Sequence, residues 1–322
     1  MRSEQDNLII VIPVYDDWSS LAILIREIER VASGRDLHPQ LVIIDDGSSE
    51  SCDIIRQEVS RLKWVKQIDI IHLARNLGHQ KAIALGLAYV NNKVKFNQAI
   101  VMDCDGEDRP DNIPQLLDEH SRSPNTIIFA QRTRRSEGPI FKFFYVIYKL
   151  GFHILTGTGI SFGNFALIPA HLLERIVYLP EIWNHFAAGV MRAKLAWKAV
   201  PIARGRRYAG QSKMNFVSLI IHGLSAISVF TEILTVRLIL LSIAVILFGI
   251  LGFIALVYIK YFTALAIPGW ATSVAIGLVV IMFQALVFLV LLSFVVLNYR
   301  TAKSFIPVKD YEDYIFGVER VL

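Results

Sequence analysis

A chain of 322 residues has room for one or two domains, and with 54% hydrophobic against 19% charged residues it is too apolar for an ordinary soluble protein. Its net charge of +5 suits an anionic membrane surface or phosphate ligands and is too small to argue for a nucleic-acid partner. Two cysteines, Cys52 and Cys104, imply no disulfide framework.

The first run, Leu8–Val14, is apolar but too short for a signal peptide or a span, and Asp16 and Asp17 follow it at once. It opens an alternation of patterns. Leu8–Val14, Leu41–Ile44, Asp69–Leu73, Ala99–Met102 and Thr126–Ala130 are short runs rich in Ile and Val, and they predict strands. Between them Ser19–Ala32, Cys52–Leu62, Gln80–Val90 and Ile113–His120 carry amphipathic helical spacing. Strand and helix in turn predict an α/β class, with a mostly parallel, doubly wound sheet covered on both faces. Ligands of such sheets bind beyond the carboxyl ends of the strands. Polar clusters follow four of the strands: Tyr15-Asp16-Asp17, Asp45-Asp46-Gly47-Ser48, Ala74 to Gly78, and Asp103 to Asp108. They are expected to gather along one edge.

The last cluster is the most informative. Val101–Pro110 ends an apolar strand in a dense run of carboxylates. On a strand, Asp103 and Asp105 point to the same side, so two hard oxygen ligands converge on one divalent cation where the strand runs out. Mg²⁺ or Mn²⁺ at such a site bridges protein carboxylates and phosphate oxygens. An acidic turn that solubilises a strand end has the same local sequence, and the companion clusters favour the metal reading.

Farther on, Pro139–Leu155 and Asn215–Phe230 have the spacing of amphipathic helices lying at an interface. From Leu238 to Ile259 there is no Asp, Glu, Lys or Arg, and after Lys260 none recurs until Arg300. Both runs exceed the roughly 20 residues that a helix needs to cross a bilayer core. Two transmembrane helices are therefore predicted, Arg237–Ile259 and Trp270–Leu297. Arg237, Arg300 and Lys303 flank the outer ends of the hairpin while its short connection offers only Lys260, which puts both termini and the catalytic part in the cytosol. The expected layout is a catalytic domain over 1–213, a juxtamembrane helix over 214–236, a transmembrane hairpin over 237–299 and a cytosolic tail over 300–322.

Taken in order, Ile12-Pro13-Val14-Tyr15, Ile44 to Ser48, Arg75-Asn76-Leu77-Gly78, the Asp103/Asp105 pair, Gly163-Asn164-Phe165, Tyr208 to Lys213 and the C-terminal spans resemble the polyprenyl-phosphate glycosyltransferases of glycosyltransferase family 2. That group includes dolichol-phosphate mannose synthases and bacterial undecaprenyl-phosphate sugar transferases. The resemblance implies a GT-A fold, a nucleotide-sugar donor with a uridine base favoured, Mg²⁺ or Mn²⁺, a polyprenyl phosphate acceptor and a multi-pass protein of the cytoplasmic membrane. It places Pro13, Tyr15 and Asp17 along the nucleotide pocket, with Asp45 or Asp46 accepting from base or ribose. It gives Asp103 to the nucleotide and diphosphate and makes Asp105 the main metal ligand. Arg206, Arg207, Gln211, Ser212 and Lys213 become the loop that closes over the diphosphate; read without the family, Arg204–Lys213 is a basic pre-membrane stretch for anionic lipid heads, the lesser of the two readings.

Two positions depart from the pattern. Glu107 stands where relatives commonly have Gln and adds a charged candidate ligand. Asn164 stands where many relatives carry an Asp assigned as general base. An amide takes no proton at neutral pH, but a phosphate monoester with a second pKa near 6 is already mostly dianionic and needs no base. Asn164 is then expected to orient the attacking oxygen, or to serve as a turn residue after Gly163, with Arg132 and Lys142 holding the lipid phosphate. Two spans are few for a lipid path, so a dimer or tetramer is a further expectation. Processive polysaccharide synthesis and a catalytically inactive nucleotide-sugar scaffold are the competing functions.

Overall fold

The computed structural model describes residues 7–132, 150–159, 162–209, 216–263, 269–301 and 304–322. They fall into two compact units: one from within Met1–Tyr145, Ile160–Val229 and Ser304–Leu322, the other from within Val146–Gly159 and Phe230–Lys303.

In the first unit, strands and helices alternate as β1 (Leu8–Val14), α1 (Trp18–Arg35), β2 (Gln40–Asp45), α2 (Asp53–Val59), β3 (Gln67–Leu73), α3 (His79–Lys93), β4 (Gln98–Val101), α4 (Ile113–Arg122) and β5 (Ile127–Arg132). Then come β6 (Ala166–Pro169), α5 (Ala170–Ile176), α6 (Phe186–Arg192), β7 (Trp197–Ile202) and α7 (Phe216–Ser228). Strands β4, β1, β2 and β3 lie side by side and parallel. Strand β6 runs antiparallel to β4 and β5, and β7 runs parallel to β5. After the second unit the chain returns through α10 (Pro307–Asp310) and adds β8 (Ile315–Arg320) antiparallel to β3, which completes the eight-stranded order β7-β5-β6-β4-β1-β2-β3-β8.

The period of two along each strand divides the core. Ile9, Val11, Val42, Ile44, Ile71, Ala99, Val101 and Phe129 face a cluster closed by α3, α5 and α6. Their neighbours Leu8, Ile10, Ile12, Leu41, Ile43, Ile70, Ile100 and Ile128 face the other cluster, closed by α1, α2 and α4. Helices therefore cover both faces, as the near-continuous apolar strands predict. Helix α3 lies closest: a Cβ on Gly86 would stand 2.7 Å from Ile44 and 2.8 Å from Val11.

In the second unit, α8 (Thr231–Phe262) and α9 (Trp270–Thr301) pack antiparallel, with Gly249 against Met282 and Gly252 against Leu278. Both are long and apolar enough to cross a membrane, with mean hydropathies of 3.0 and 2.9. Their apolar side chains face outward, Phe248 at 74% exposure and Phe283 at 65%. Of the expected interfacial helix Pro139–Leu155, only 150–155 lies among the described residues; it is helical, and the turn closes at Gly157, whose N–H donates to the His153 carbonyl at 2.8 Å. The second expected interfacial helix corresponds to α7, on which Ile221 and Leu224 are exposed.

Candidate active site

Because β1 to β4 are parallel, the four polar clusters emerge at one edge, and hydrogen bonds knit them together. Asp16, in the left-handed region with φ 45, receives the Ser49 and Glu50 N–H groups on Oδ1 at 2.7 and 3.2 Å, while its own N–H donates to Ser48 Oγ at 2.9 Å. Asp46 is buried and accepts from the Leu77 N–H at 2.7 Å and the Gly78 N–H at 2.9 Å, which pins the start of α3. Burial raises the Asp46 pKa, and those two donors oppose the rise. Asp45 accepts from the Ser48 N–H at 2.8 Å and lies 2.8 Å from His72 Nδ1.

The acidic run after β4 folds back on itself. The Asp103 N–H donates to Asp108 Oδ2 at 3.1 Å, and the Glu107 N–H donates to Asp105 Oδ1 at 2.9 Å. Burial, then the charge of Asp103, raises the Asp105 pKa; burial raises that of Asp108 too. Three arginines answer this charge. Arg207 reaches Asp17 Oδ2 at 2.8 Å and Asp105 Oδ2 at 3.3 Å, joining the β1 and β4 loops. Arg132 contacts Glu107 Oε2 at 3.1 Å and Asp108 Oδ1 at 3.2 Å, and Arg204 contacts Glu107 Oε1 at 2.6 Å. Both oxygens of Glu107, expected as a third metal ligand, thus sit against guanidinium groups. The same pairs engage Arg132, expected at the lipid phosphate. The segment carrying Arg204 and Arg207 crosses the acidic loop through two main-chain bonds, Gly205 N–H to the Glu107 carbonyl at 2.8 Å and Tyr208 N–H to the Asp105 carbonyl at 2.9 Å. The crossing requires glycine on both sides: a Cβ on Gly205 would stand 2.0 Å from the Gly106 carbonyl oxygen, and one on Gly106, at φ 91, would stand 2.6 Å from the Tyr208 ring.

A second set of side chains reaches the edge from α3 and the turn before β6. His79 Nε2 lies 3.1 Å from Asp103 Oδ1 and 3.1 Å from Asn164 Nδ2. Desolvation lowers the His79 pKa, but the Asp103 charge and hydrogen bond outweigh it and hold it above the ordinary imidazole value. Gln80 donates from Nε2 to Asn164 Oδ1 at 3.1 Å and accepts the Phe186 N–H on Oε1 at 2.7 Å. Neither His79 nor Gln80 is among the residues expected from sequence, although they directly follow the Arg75–Gly78 motif that is.

Asp17, Asp45, Asp46, Asp103, Asp105, Glu107, Asn164 and Arg207 are therefore brought to one edge. Pro13 is buried within β1, paired in register with Ile44, and Tyr15 stands exposed beyond the strand end. Arg206 is exposed and lines a shallow cavity with Glu27, Arg109 and Tyr208. Lys142, Gln211, Ser212 and Lys213 lie outside the described residues. Among the described residues no three His, Cys, Asp or Glu side chains group as a metal cage.

Residues 9–168 match the model of glycosyl transferase family 2. The chain is 27% identical over 291 residues to the uncharacterized glycosyltransferase YkcC of Bacillus subtilis (strain 168), covering 88% of this chain and 85% of that one. It is 26% identical over 219 residues to the uncharacterized glycosyltransferase sll0501 of Synechocystis sp., covering 66% of this chain and 65% of that one. Among solved structures, glucosyl-3-phosphoglycerate synthase from Mycobacterium tuberculosis, in complex with Mn²⁺, uridine-diphosphate-glucose and phosphoglyceric acid, matches with a TM-score of 0.52 at 12% identity, over 71% of this chain and 80% of its own. That likeness is one of fold, and the mostly parallel sheet with its acidic loop beyond β4 is of GT-A type. Residues 9–168 are thus similar in sequence to glycosyl transferase family 2, and the sheet they build is of GT-A type.

Proposed function

We propose that the protein transfers a single sugar from a nucleotide sugar, with a uridine diphosphate donor favoured, to a polyprenyl phosphate at the cytoplasmic face of a membrane. The observation that carries this reading is Arg207 bound between Asp17 and Asp105 at the carboxyl edge, in a chain that also has two helices of spanning length. Asp103 and Asp105 fit a divalent ion of the Mg²⁺ or Mn²⁺ type, which takes one or two protein carboxylates and completes its shell with phosphate oxygens. Burial, and after it the charge of Asp103, raises the Asp105 pKa, and a cation held by the two carboxylates would relieve both. When bound, the ion supplies charge neutralisation to the departing diphosphate.

The residues of the chain do the rest. Asp17, in the loop after β1, and Asp45, the last residue of the neighbouring β2, are the carboxylates offered to donor hydroxyl or imide groups. The Arg207 guanidinium, forked and always charged, is placed to stay with the diphosphate as it accumulates charge. An ionised phosphate oxygen of the lipid attacks the anomeric carbon in line, the bond from that carbon to the diphosphate oxygen breaks with inversion, and the electron pair leaves on the nucleoside diphosphate. No proton has to be removed, which agrees with an amide rather than a carboxylate at position 164.

The test is a transfer assay. Purified protein in detergent is incubated with Mn²⁺ or Mg²⁺, a panel of radiolabelled nucleotide sugars and undecaprenyl phosphate, then extracted with organic solvent. Label is expected in the organic phase for one donor, lost on chelation and regained when metal is returned. Asp105→Ala is expected to abolish transfer and Asn164→Ala to lower it only in part. Label that stays in water for every donor overturns the reading and leaves an inactive scaffold.

A further inference from the structure

Resting on the phosphate acceptor proposed above, we infer that Gln80 is a positioning residue that fixes the polarity of Asn164, so that position 164 presents a hydrogen-bond donor to the attacking phosphate. The argument runs from a group whose direction admits no choice. The Phe186 main-chain N–H can only donate, and it meets Gln80 Oε1 at 2.7 Å. Gln80 is 9% exposed, so its amide cannot turn toward bulk water and keep that partner. Its Nε2 must then face outward along the chain of contacts, where it donates to Asn164 Oδ1 at 3.1 Å. The oxygen of Asn164 is thereby occupied, and its Nδ2 is left 3.1 Å from His79 Nε2; that nitrogen turns its proton to Asp103, also 3.1 Å away, so the contact with Asn164 is not a hydrogen bond and the Asn164 N–H groups remain for an incoming acceptor. The direction of the Asn164 amide is in this way set by a backbone donor two links away. The outcome is an N–H group directed toward the carboxylate end of the site, suited to hold an anionic oxygen in line and unsuited to take a proton from a hydroxyl.

The test reverses the polarity in two independent ways. In Gln80→Glu one carboxylate oxygen still accepts from Phe186, but the other can no longer donate, so Asn164 must turn its NH₂ toward Glu and its oxygen toward the acceptor. Asn164→Asp changes the same group directly. Both are expected to raise the KM for undecaprenyl phosphate by about tenfold or more, as for a lost hydrogen bond to a charged group. The KM for the nucleotide sugar is expected to stay within about twofold in both. If Gln80→Glu fails to fold, Gln80→Met, which frees the Asn164 amide to rotate, is expected to give a smaller rise confined to the same KM. An unchanged acceptor KM in the folded Gln80 variant, or a loss shared equally by donor KM and kcat, overturns the inference. A wild-type protein that labels no lipid fails the proposed function first and takes the inference with it.

Discussion

Asp46 shows how one carboxylate is divided between structure and chemistry. Its two oxygens bind the Leu77 and Gly78 N–H groups just before α3, and the Asp46 side chain is itself buried. We expect Asp46→Ala to leave both donors without a partner and to cost about 1–3 kcal/mol for each, seen as a lowered melting temperature. Asp46→Asn keeps one acceptor and is expected to fall between. A variant that melts like wild type but binds donor poorly would mark Asp46 as a nucleotide ligand instead. The sequence motif Asp45-Asp46-Gly47-Ser48 left both aspartates open to that role, because composition cannot show which oxygen faces a main-chain donor 31 residues away. Glu107 makes the same point. Its spacing from Asp105 suggests a ligand, whereas Arg132 and Arg204, far along the chain, meet both of its oxygens. Gln80 was legible only as a helix residue, since the Phe186 N–H that gives it direction lies 106 positions on.

At the scale of elements, legibility follows burial. Strand β1 has the bounds Leu8–Val14 that its unbroken apolar run predicts, and all seven of its residues are buried. Strands β6 and β8 carry no strand signal in the sequence, for opposite reasons. The first is four residues ending in Pro169, too short to show a period. The second, Ile315–Arg320, alternates half-buried with exposed residues at the sheet edge and carries Gly317, Glu319 and Arg320, the composition of a protected edge. Helix α3 supplies a test of how tightly the layers fit. We expect Gly86→Val to force Ile44 and Val11 aside and to destabilise the protein by about 1–3 kcal/mol. Thermal melts decide it; a melting temperature equal to wild type would mean that the sheet and helix have slack at this contact.

For the whole molecule, the return of the chain to the sheet after the hairpin is the organising fact. Strand β8 pairs with β3, and Arg320 reaches Asp69 at 2.8 Å, so the last described residues belong to the same sheet as the first. On the proposed membrane reading, a chain that leaves this sheet and rejoins it must cross the bilayer an even number of times, in keeping with two spans whose flanks carry Arg237, Arg300 and Lys303. Deleting Ser304–Leu322 is expected to bare the edge of β3 and strip Val308 and Tyr311 from the core, giving protein that aggregates in mild detergent. A monodisperse elution profile for the truncated chain would refute this.

This return also sets a schedule for biosynthesis. A ribosome completes β3 about 240 residues before β8. At roughly 5–20 residues per second, the nascent sheet waits on the order of ten to fifty seconds for its border. On the proposed membrane reading, both apolar helices are handed to the insertion machinery during that interval, while the unfinished sheet offers an open strand to chaperones. On the same reading, completion of the sheet is tied to delivery into lipid, and the finished protein arises at the membrane that holds its proposed acceptor.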